Sequence, residues 1–520
     1  MLKFIKSNLF FFLLLTAVVF SLYGKSIFFD FSYRDDDALI VEKVQFLSDI
    51  KNIPKLFTTS CFYSSDFQYY RPLLNLSFLI ETCIFGLSTK IYHLTNIILF
   101  ILSLYLMYVF LLRLKLNETI LKFLILLVAV HPVFVSAVVW IPAINDTLLA
   151  IFVFLSFIFF VDYLQYEKIK NLISYILFFT FALFTKETAI AAVFLYVLFI
   201  WCFGYKLNKK EIIKNILIFL PLLIVYFCLR TVAVSQNETL SYLINFNEYL
   251  KNAVSAAGIY FYEMLFPKHV PIMLRQITLN VYQISFLVFL LFFIIICLYK
   301  KIVSKKIFIW SFAWFLLFLF PTFVSDDYVF FNHRFVIPFL SVIMLVAIII
   351  NKFLEFEKTK KYLVILFVLM FCVYADLSFY QQDKYKNKYM YWTNTFSDAP
   401  TYHAAYYWIS NFYLEQKNYS KAKEFINRAN ELKQNVYISC LALIYYYENN
   451  FDESEKLYKQ SIDYGINKAQ CYRNLSVIYL KRDNDINKAV EYAKLAVQQE
   501  PYDDGYKKYL RKLIDEKNNI

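Results

Sequence analysis

From residue 9 to about residue 380, apolar runs of about span length recur along the chain, so the solvent for most of it is a lipid bilayer. Each run is about as long as a bilayer is thick, and a helix satisfies its own backbone hydrogen bonds there. Hydrophobic residues make up 60% of the chain and aromatic residues 21%, and the mean hydropathy is +0.50. No soluble globular domain of this length has such a composition. Near residue 385 the character changes to a water-soluble segment with an internal repeat.

The first run, 9–23, follows Lys3 and Lys6 and has no small-residue cleavage site after it, so it reads as an uncleaved span rather than a secretory signal. Further spans are predicted at 92–112, 120–138, 146–164, 171–185, 187–204, 213–230, 281–299, 306–324, 335–351 and 362–380, about eleven in all. The short connections test this map, because cytoplasmic loops are the basic ones. With the N-terminus inside, Arg113, Lys115, Lys122, Lys168, Lys170, Lys206, Lys209, Lys210, Lys214, Lys300, Lys301, Lys305, Lys306, Lys352, Lys358, Lys360 and Lys361 all fall on the cytoplasmic side. The apolar stretch 252–267 ends at Pro267 and is taken as a helix in the outer interface, which keeps this parity. An odd number of spans places 381–520 outside the cytoplasm.

The formal net charge of +13 is mostly this loop asymmetry, which removes the case for nucleic-acid binding. The eight cysteines are scattered without metal-ligand spacing. Cys440 and Cys471 occupy positions that suit small packing residues, so they read as buried thiols. In the soluble part Tyr413, Ala422 and Ala429 align with Tyr445, Ser454 and Ser461, then with Tyr479, Ala489 and Ala496; Pro501 closes the third unit and a polar helix follows over 505–517. A period of roughly 34 residues, with small residues where two helices cross, resembles tetratricopeptide repeats. About three such units and a capping helix suffice for a stacked core. The sequence thus predicts an all-α protein: a multi-span membrane domain over 1–385, with a large first external loop over 25–92, and a repeat domain over 386–520.

Polar residues that neither water nor topology explains are the candidates for chemistry. The first external loop is longer than a connection needs, and it opens with Asp35, Asp36 and Asp37. Adjacent carboxylates repel one another, which suits a general base or a cation site; the alternative is an acidic cap on a helix over 38–47. Arg71 (in Tyr70, Arg71, Pro72, Leu73) lies in the later part of this loop, and His93 (in Tyr92, His93, Leu94, Thr95, Asn96), His131 before Pro132, Asp146 after Trp140 and Asn145, Lys186 with Glu187, and Arg334 after Asn332 and His333 lie in or beside the predicted span boundaries. Ionisable residues at such depth are functional candidates. For the cations the competing role is an interfacial anchor or a structural ion pair, and for His131 a satisfied helix-end histidine.

In this order the motifs resemble the polyprenyl-phosphate-sugar-dependent membrane glycosyltransferases of the GT-C class, and more narrowly the transmembrane protein O-mannosyltransferases with tetratricopeptide repeats and their bacterial relatives. The resemblance runs from about residue 31 to the C-terminus and includes an Asp-Asp, three residues, Ile pattern met by Asp35, Asp36 and Ile40. It implies a GT-C-like core of about eleven spans followed by a repeat α-solenoid. It also implies inverting transfer of a sugar, mannose in the family's name, from a polyprenyl-phosphate carrier to a hydroxyl of a polypeptide, protein Ser or Thr first, or of a glycan outside the cytoplasm. Asp35 or Asp36 would be the base, and Arg334, Lys186 and Arg71 would hold the donor phosphate. Asp37, Glu187, His131, Asp146 and His93 would support them, and a divalent cation is compatible but not required. Ser136 and Ile144 stand where many relatives carry Glu and Arg. The AT-rich composition points to a bacterial inner membrane, with the repeats in the periplasm; an endoplasmic-reticulum membrane with lumenal repeats is the alternative.

A non-catalytic membrane scaffold that recruits partners through the repeats is the other class to weigh, but an anchor needs no polar cluster at one face. A transporter is disfavoured because matching halves with Gly- or Pro-broken helices are lacking. The topology is directly testable. Cysteine labelling from outside intact cells should modify a probe placed at Asn449 and spare one at Lys209; labelling of both, or of the second alone, would refute this orientation.

Overall fold

The computed structural model describes residues 8–32, 34–63, 69–205, 217–234, 255, 258–268, 270–272, 279–323, 331–354, 357–500 and 504–518. Every regular element among them is helical, with no strand. The chain divides into two compact units, Met1–Tyr391 and Trp392–Ile520.

In the first unit the longer helices are α1 (Leu9–Tyr23), α2 (Pro72–Phe85), α3 (Thr89–Arg113), α4 (Glu118–Ala129), α5 (Ile144–Tyr166), α6 (Ile169–Thr185) and α7 (Ala191–Cys202). They continue with α8 (Leu220–Ala233), α9 (Val281–Tyr299), α10 (Lys305–Phe323), α11 (Phe339–Phe353) and α12 (Glu357–Gln381). Among the described residues five helices are long and apolar enough to cross a membrane, or six if one bent pair is a single span. The chain is therefore a helical membrane protein.

Lipid tails are as apolar as leucine, so close packing and buried hydrogen bonds must hold such helices together. The centre is aromatic: Phe157 of α5 lies 4.3 Å from the Tyr196 ring of α7 and 4.9 Å from Trp314 of α10. Phe160 packs with its ring tilted 54° to Tyr175 of α6, centroids 5.3 Å apart. Two buried donors in this centre find backbone partners, as burial favours. Ser156 donates to the Tyr175 carbonyl at 2.8 Å, and Trp314 Nε1 donates to the Ile337 carbonyl at 2.8 Å. By contrast α9 and α12 turn most of their apolar side chains outward.

Some elements differ from expectation. The span predicted at 120–138 is two helices, α4 and a short helix that begins at Pro132, bent by 56°; proline has no N–H to continue the first helix. The helix expected at 38–47 is broken into a turn Arg34–Asp36, a wide π-helical turn Asp37–Val41 and a short helix Val44–Leu47. The predicted span at 213–230 and the stretch 252–267 lie partly outside the described residues. Within the latter, Ile259, Tyr260, Glu263 and Met264 are buried rather than spread over a surface.

The second unit contains α13 (His403–Glu415), α14 (Tyr419–Leu432), α15 (Ile438–Tyr447), α16 (Phe451–Asp463), α17 (Lys468–Asp483), α18 (Ile486–Gln499) and α19 (Asp504–Asn518). They form three helix pairs and a final helix, and the same devices recur in each pair. Asn418, Asn450 and Asp485 cap the second helices, accepting from the N–H groups of Lys421, Glu453 and Lys488. Where the two helices cross, Ser410, Ser454 and Ser476 donate to the carbonyls of Ala422, Ala442 and Ala489 at 2.7, 2.7 and 2.6 Å. The aligned small residues Ala422, Ala429, Ser454, Ser461, Ala489 and Ala496 are all buried, because a larger side chain would push the helices apart. Cys440 and Cys471 are free thiols, and Pro501 lies outside the described residues.

Ser454→Ala removes one buried hydrogen bond and should lower the stability of the detergent-solubilised protein by about 1 kcal/mol. Ser454→Leu should cost more, about 1–3 kcal/mol from overpacking, and thermal unfolding would measure both. A neutral Ser454→Leu would contradict close packing at this crossing.

Candidate functional site

The segment that carries the acidic run folds back on itself. The Ser32 N–H donates to Asp36 Oδ2 at 2.6 Å, and Asp36 is 0% exposed. Asp37 turns the other way and pairs with Lys388 Nζ at 2.7 Å. Asp35, between these constraints, is partly exposed. Directly after it Leu39 and Ile40 pack with Leu74, Phe78, Tyr92, Ile141 and Ile144 in one apolar cluster. This cluster fixes the acidic turn against α2, α3 and the start of α5.

A second group of charges gathers from four separate chain segments. Arg71 stands immediately before Pro72, which opens α2 because its missing N–H costs nothing at a helix start. Its guanidinium grips Glu187 as a fork, Nε to Oε2 at 3.1 Å and Nη2 to Oε1 at 2.6 Å. Glu187 begins the 3₁₀ turn after α6, and the neighbouring Lys186 reaches the opposite way, Nζ to Asp146 Oδ1 at 2.7 Å. Both side chains of that pair are 9% exposed. His333 Nε2 approaches the other oxygen of Asp146 at 3.8 Å. Asn145, with its amide oriented to suit its neighbours, donates to the Thr185 carbonyl at 2.9 Å and accepts from Arg71 Nη1 at 3.2 Å. It ties the two ion pairs together.

Arg334 completes the group. Its guanidinium lies 5.5 Å from the Phe331 ring, which in turn stacks on Trp140, and its charge is felt at Asp146 and Lys186. It is partly exposed, and no carboxylate among the described residues forms an ion pair with it. Arg71 and Lys186 are thus each paired, with Glu187 and Asp146, and Arg334 acts on the second pair through its charge. Burial lowers the pKa of Lys186; Asp146 opposes this, while Arg71 and Arg334 reinforce it. His333 is pushed down to about 3, first by burial and further by Arg334, Lys186 and Arg71, so it is neutral at physiological pH.

The cluster and the acidic turn share a neighbourhood. Buried Cys61, whose thiol burial pushes up to about 12, feels the charges of Arg71, Glu187 and Asp35 together. The structure thus brings together Arg71, Lys186, Glu187, Asp146 and Arg334. His131 is a different case: Nδ1 accepts the Val133 N–H at 3.2 Å and Nε2 bonds the Met264 carbonyl at 2.9 Å. Both ring nitrogens are spent on backbone, which sets the neutral tautomer. His93 is buried in α3, edge-on to Phe29. Ser136 is buried, and Ile144 belongs to the apolar cluster. Among the described residues no three His, Cys, Asp or Glu side chains are grouped to hold a metal ion.

Sequence reasoning missed Asn145, His333 and Lys388 as members of the arrangement. The first two adjoin flagged residues; nothing in the sequence links Lys388 to Asp37. No protein-family model matches the chain, and no curated protein matches it.

Removing one partner of a buried pair strands the other charge, at a cost of about 3–5 kcal/mol. Lys186→Met should therefore destabilise the protein strongly, and the double variant Lys186→Met with Asp146→Asn should recover most of the loss. A double-mutant cycle on thermal or denaturant unfolding measures the coupling. Additive losses would show that the pair is not coupled.

Proposed function

We propose that this chain is an inverting membrane glycosyltransferase of the GT-C class, with about eleven spans. It would move a sugar from a polyprenyl-phosphate carrier to a hydroxyl of a polypeptide or glycan on the non-cytoplasmic side of a bacterial inner membrane. The observation that carries this reading is a partly exposed carboxylate, Asp35, on a turn that packs through Leu39 and Ile40 against Ile141 and Ile144, directly before the charged cluster of Asp146, Lys186, Glu187 and Arg71. A base and an anion site within reach of each other are what transfer from a lipid phosphate requires.

In this mechanism Asp35 takes the proton from the acceptor hydroxyl as its oxygen attacks the anomeric carbon from the face opposite the phosphate. The carbon–oxygen bond to phosphate breaks, inverting the anomeric centre, and the lipid phosphate leaves with an added negative charge. Arg334 meets that charge, since it has no carboxylate partner among the described residues and its planar fork can donate two parallel bonds. Lys186 and Arg71 contribute from their ion pairs at longer range. Asp36, enclosed and bonded to the Ser32 N–H, holds the turn. General-base catalysis of this kind contributes roughly 10² to 10⁴ in rate.

The three helix pairs, with their repeated caps and small crossing residues, fit tetratricopeptide units stacked as an α-solenoid, and we assign them to acceptor recognition. An apolar carrier tail suits a core with outward aliphatic faces.

With a purified polyprenyl-phosphate sugar and a hydroxyl acceptor, Asp35→Asn should cut turnover by roughly 10² or more while donor binding persists. Asp36→Asn keeps an oxygen for the Ser32 N–H and should retain more activity; the reverse order would move the base to Asp36. Arg334→Lys should weaken donor binding and turnover together. Full activity in both Asp variants would refute base catalysis by the acidic run.

A further inference from the structure

Four contacts join residues 22–37 to residues 382–388, and they keep the same order along both segments. Gln382 Nε2 donates to the Leu22 carbonyl at 3.0 Å. Lys25 Nζ lies 3.1 Å from Asp383 Oδ1. The Asp30 N–H donates to the Lys386 carbonyl at 3.0 Å. Lys388 Nζ reaches Asp37 at 2.7 Å to Oδ2 and 2.8 Å to Oδ1, across 351 residues of sequence. The two segments run side by side in one direction, and the seam ends on the acidic run.

From this we infer that the segment 382–388 positions the acidic turn, and that Lys388 is a positioning residue that acts through Asp37 on the direction of Asp35. The inference rests on the transfer reading above. The ion pair is not a stability device, because Lys388 is 49% exposed and exposed pairs contribute little. Its effect is geometric. At Asp37 the narrow turn Arg34–Asp36 passes into the wider turn Asp37–Val41, where the Glu42 N–H bonds the Asp37 carbonyl at 2.9 Å. Successive helical side chains are held at a fixed angle to one another, so a rotation at Asp37 is passed to Asp36 and Asp35. Asp36 is clamped from one side by the Ser32 N–H and Asp37 from the other by Lys388, so the backbone turn that carries Asp35 is held at both of the positions that follow it. The positive charge of Lys388 also relieves the repulsion among three consecutive carboxylates.

The full-length protein in lipid, supplied with a polyprenyl-phosphate sugar and a hydroxyl acceptor, tests this. Lys388→Met should lower kcat about tenfold, leave the donor KM within about twofold and leave the unfolding temperature unchanged, since a misdirected base costs rate rather than binding. Lys388→Arg should restore turnover. The exchange of charges, Asp37→Lys with Lys388→Asp, should exceed either single variant. Wild-type turnover in Lys388→Met, equal loss in Lys388→Arg, or no recovery in the exchange would each overturn the positioning role. If the wild-type protein transfers no sugar, the functional reading falls separately, and hydrogen exchange judges the seam. Lys388→Met should then speed exchange of the backbone amides of residues 34–42, and unchanged exchange would overturn it.

Discussion

The buried ion pair between Lys186 and Asp146 is the contact on which the arrangement of helix ends depends. Taking two such charges out of water costs several kcal/mol apiece, and only close geometry with further hydrogen bonds offsets that cost. The chain meets the requirement by assembling a second pair beside the first. Arg71 holds Glu187, and Asn145 bonds both Arg71 and the backbone at Thr185. As a result the start of α2, the start of α5 and the junction after α6 are held in one register. A buried ionic network is poor evidence of extra stability, but it discriminates sharply between one register and a shifted one.

Apolar packing then carries this register to the acidic turn. Ile141 and Ile144, at the start of α5, pack with Leu39 and Ile40 just beyond the three aspartates. Had Ile144 been a charged residue, the same position would have needed its own partner, and the turn would rest on a polar contact instead. The wide turn at Asp37–Val41 gives the backbone the extra residue it needs to bury Leu39 and Ile40 while Asp35 keeps some exposure. The aromatic centre formed by Phe157, Tyr196, Trp314 and Phe160 supports α5 from its other end. The charged cluster thus sits at the end of a rigidly packed helix, as a preorganised site requires.

Much of the fold was legible because it rests on local rules. Long apolar runs become helices in a bilayer whatever surrounds them, and α1, α3, α5, α9 and α12 follow the predicted runs. The repeat was legible for a related reason. Small residues at helix crossings recur with a period of roughly 34 residues, and each acts within a single helix pair. Less legible was the bend at Pro132, since a hydropathy window averages over the missing N–H.

By itself, then, the sequence determined which segments are helical and apolar, and which ionisable residues lie at their ends, because hydropathy, capping and periodicity act over a few neighbours. It did not determine which charge meets which. Lys186 and Glu187 are adjacent in sequence, yet they pair with residues on two other segments, Asp146 and Arg71, and Lys388 meets Asp37 from the far end of the membrane unit. His131 carried the same outward signs as the cluster residues, but its ring nitrogens bond backbone. Such choices turn on distances of a few ångströms between segments far apart in the chain, over which Coulomb energy and desolvation change steeply. Only the packed tertiary structure sets those distances.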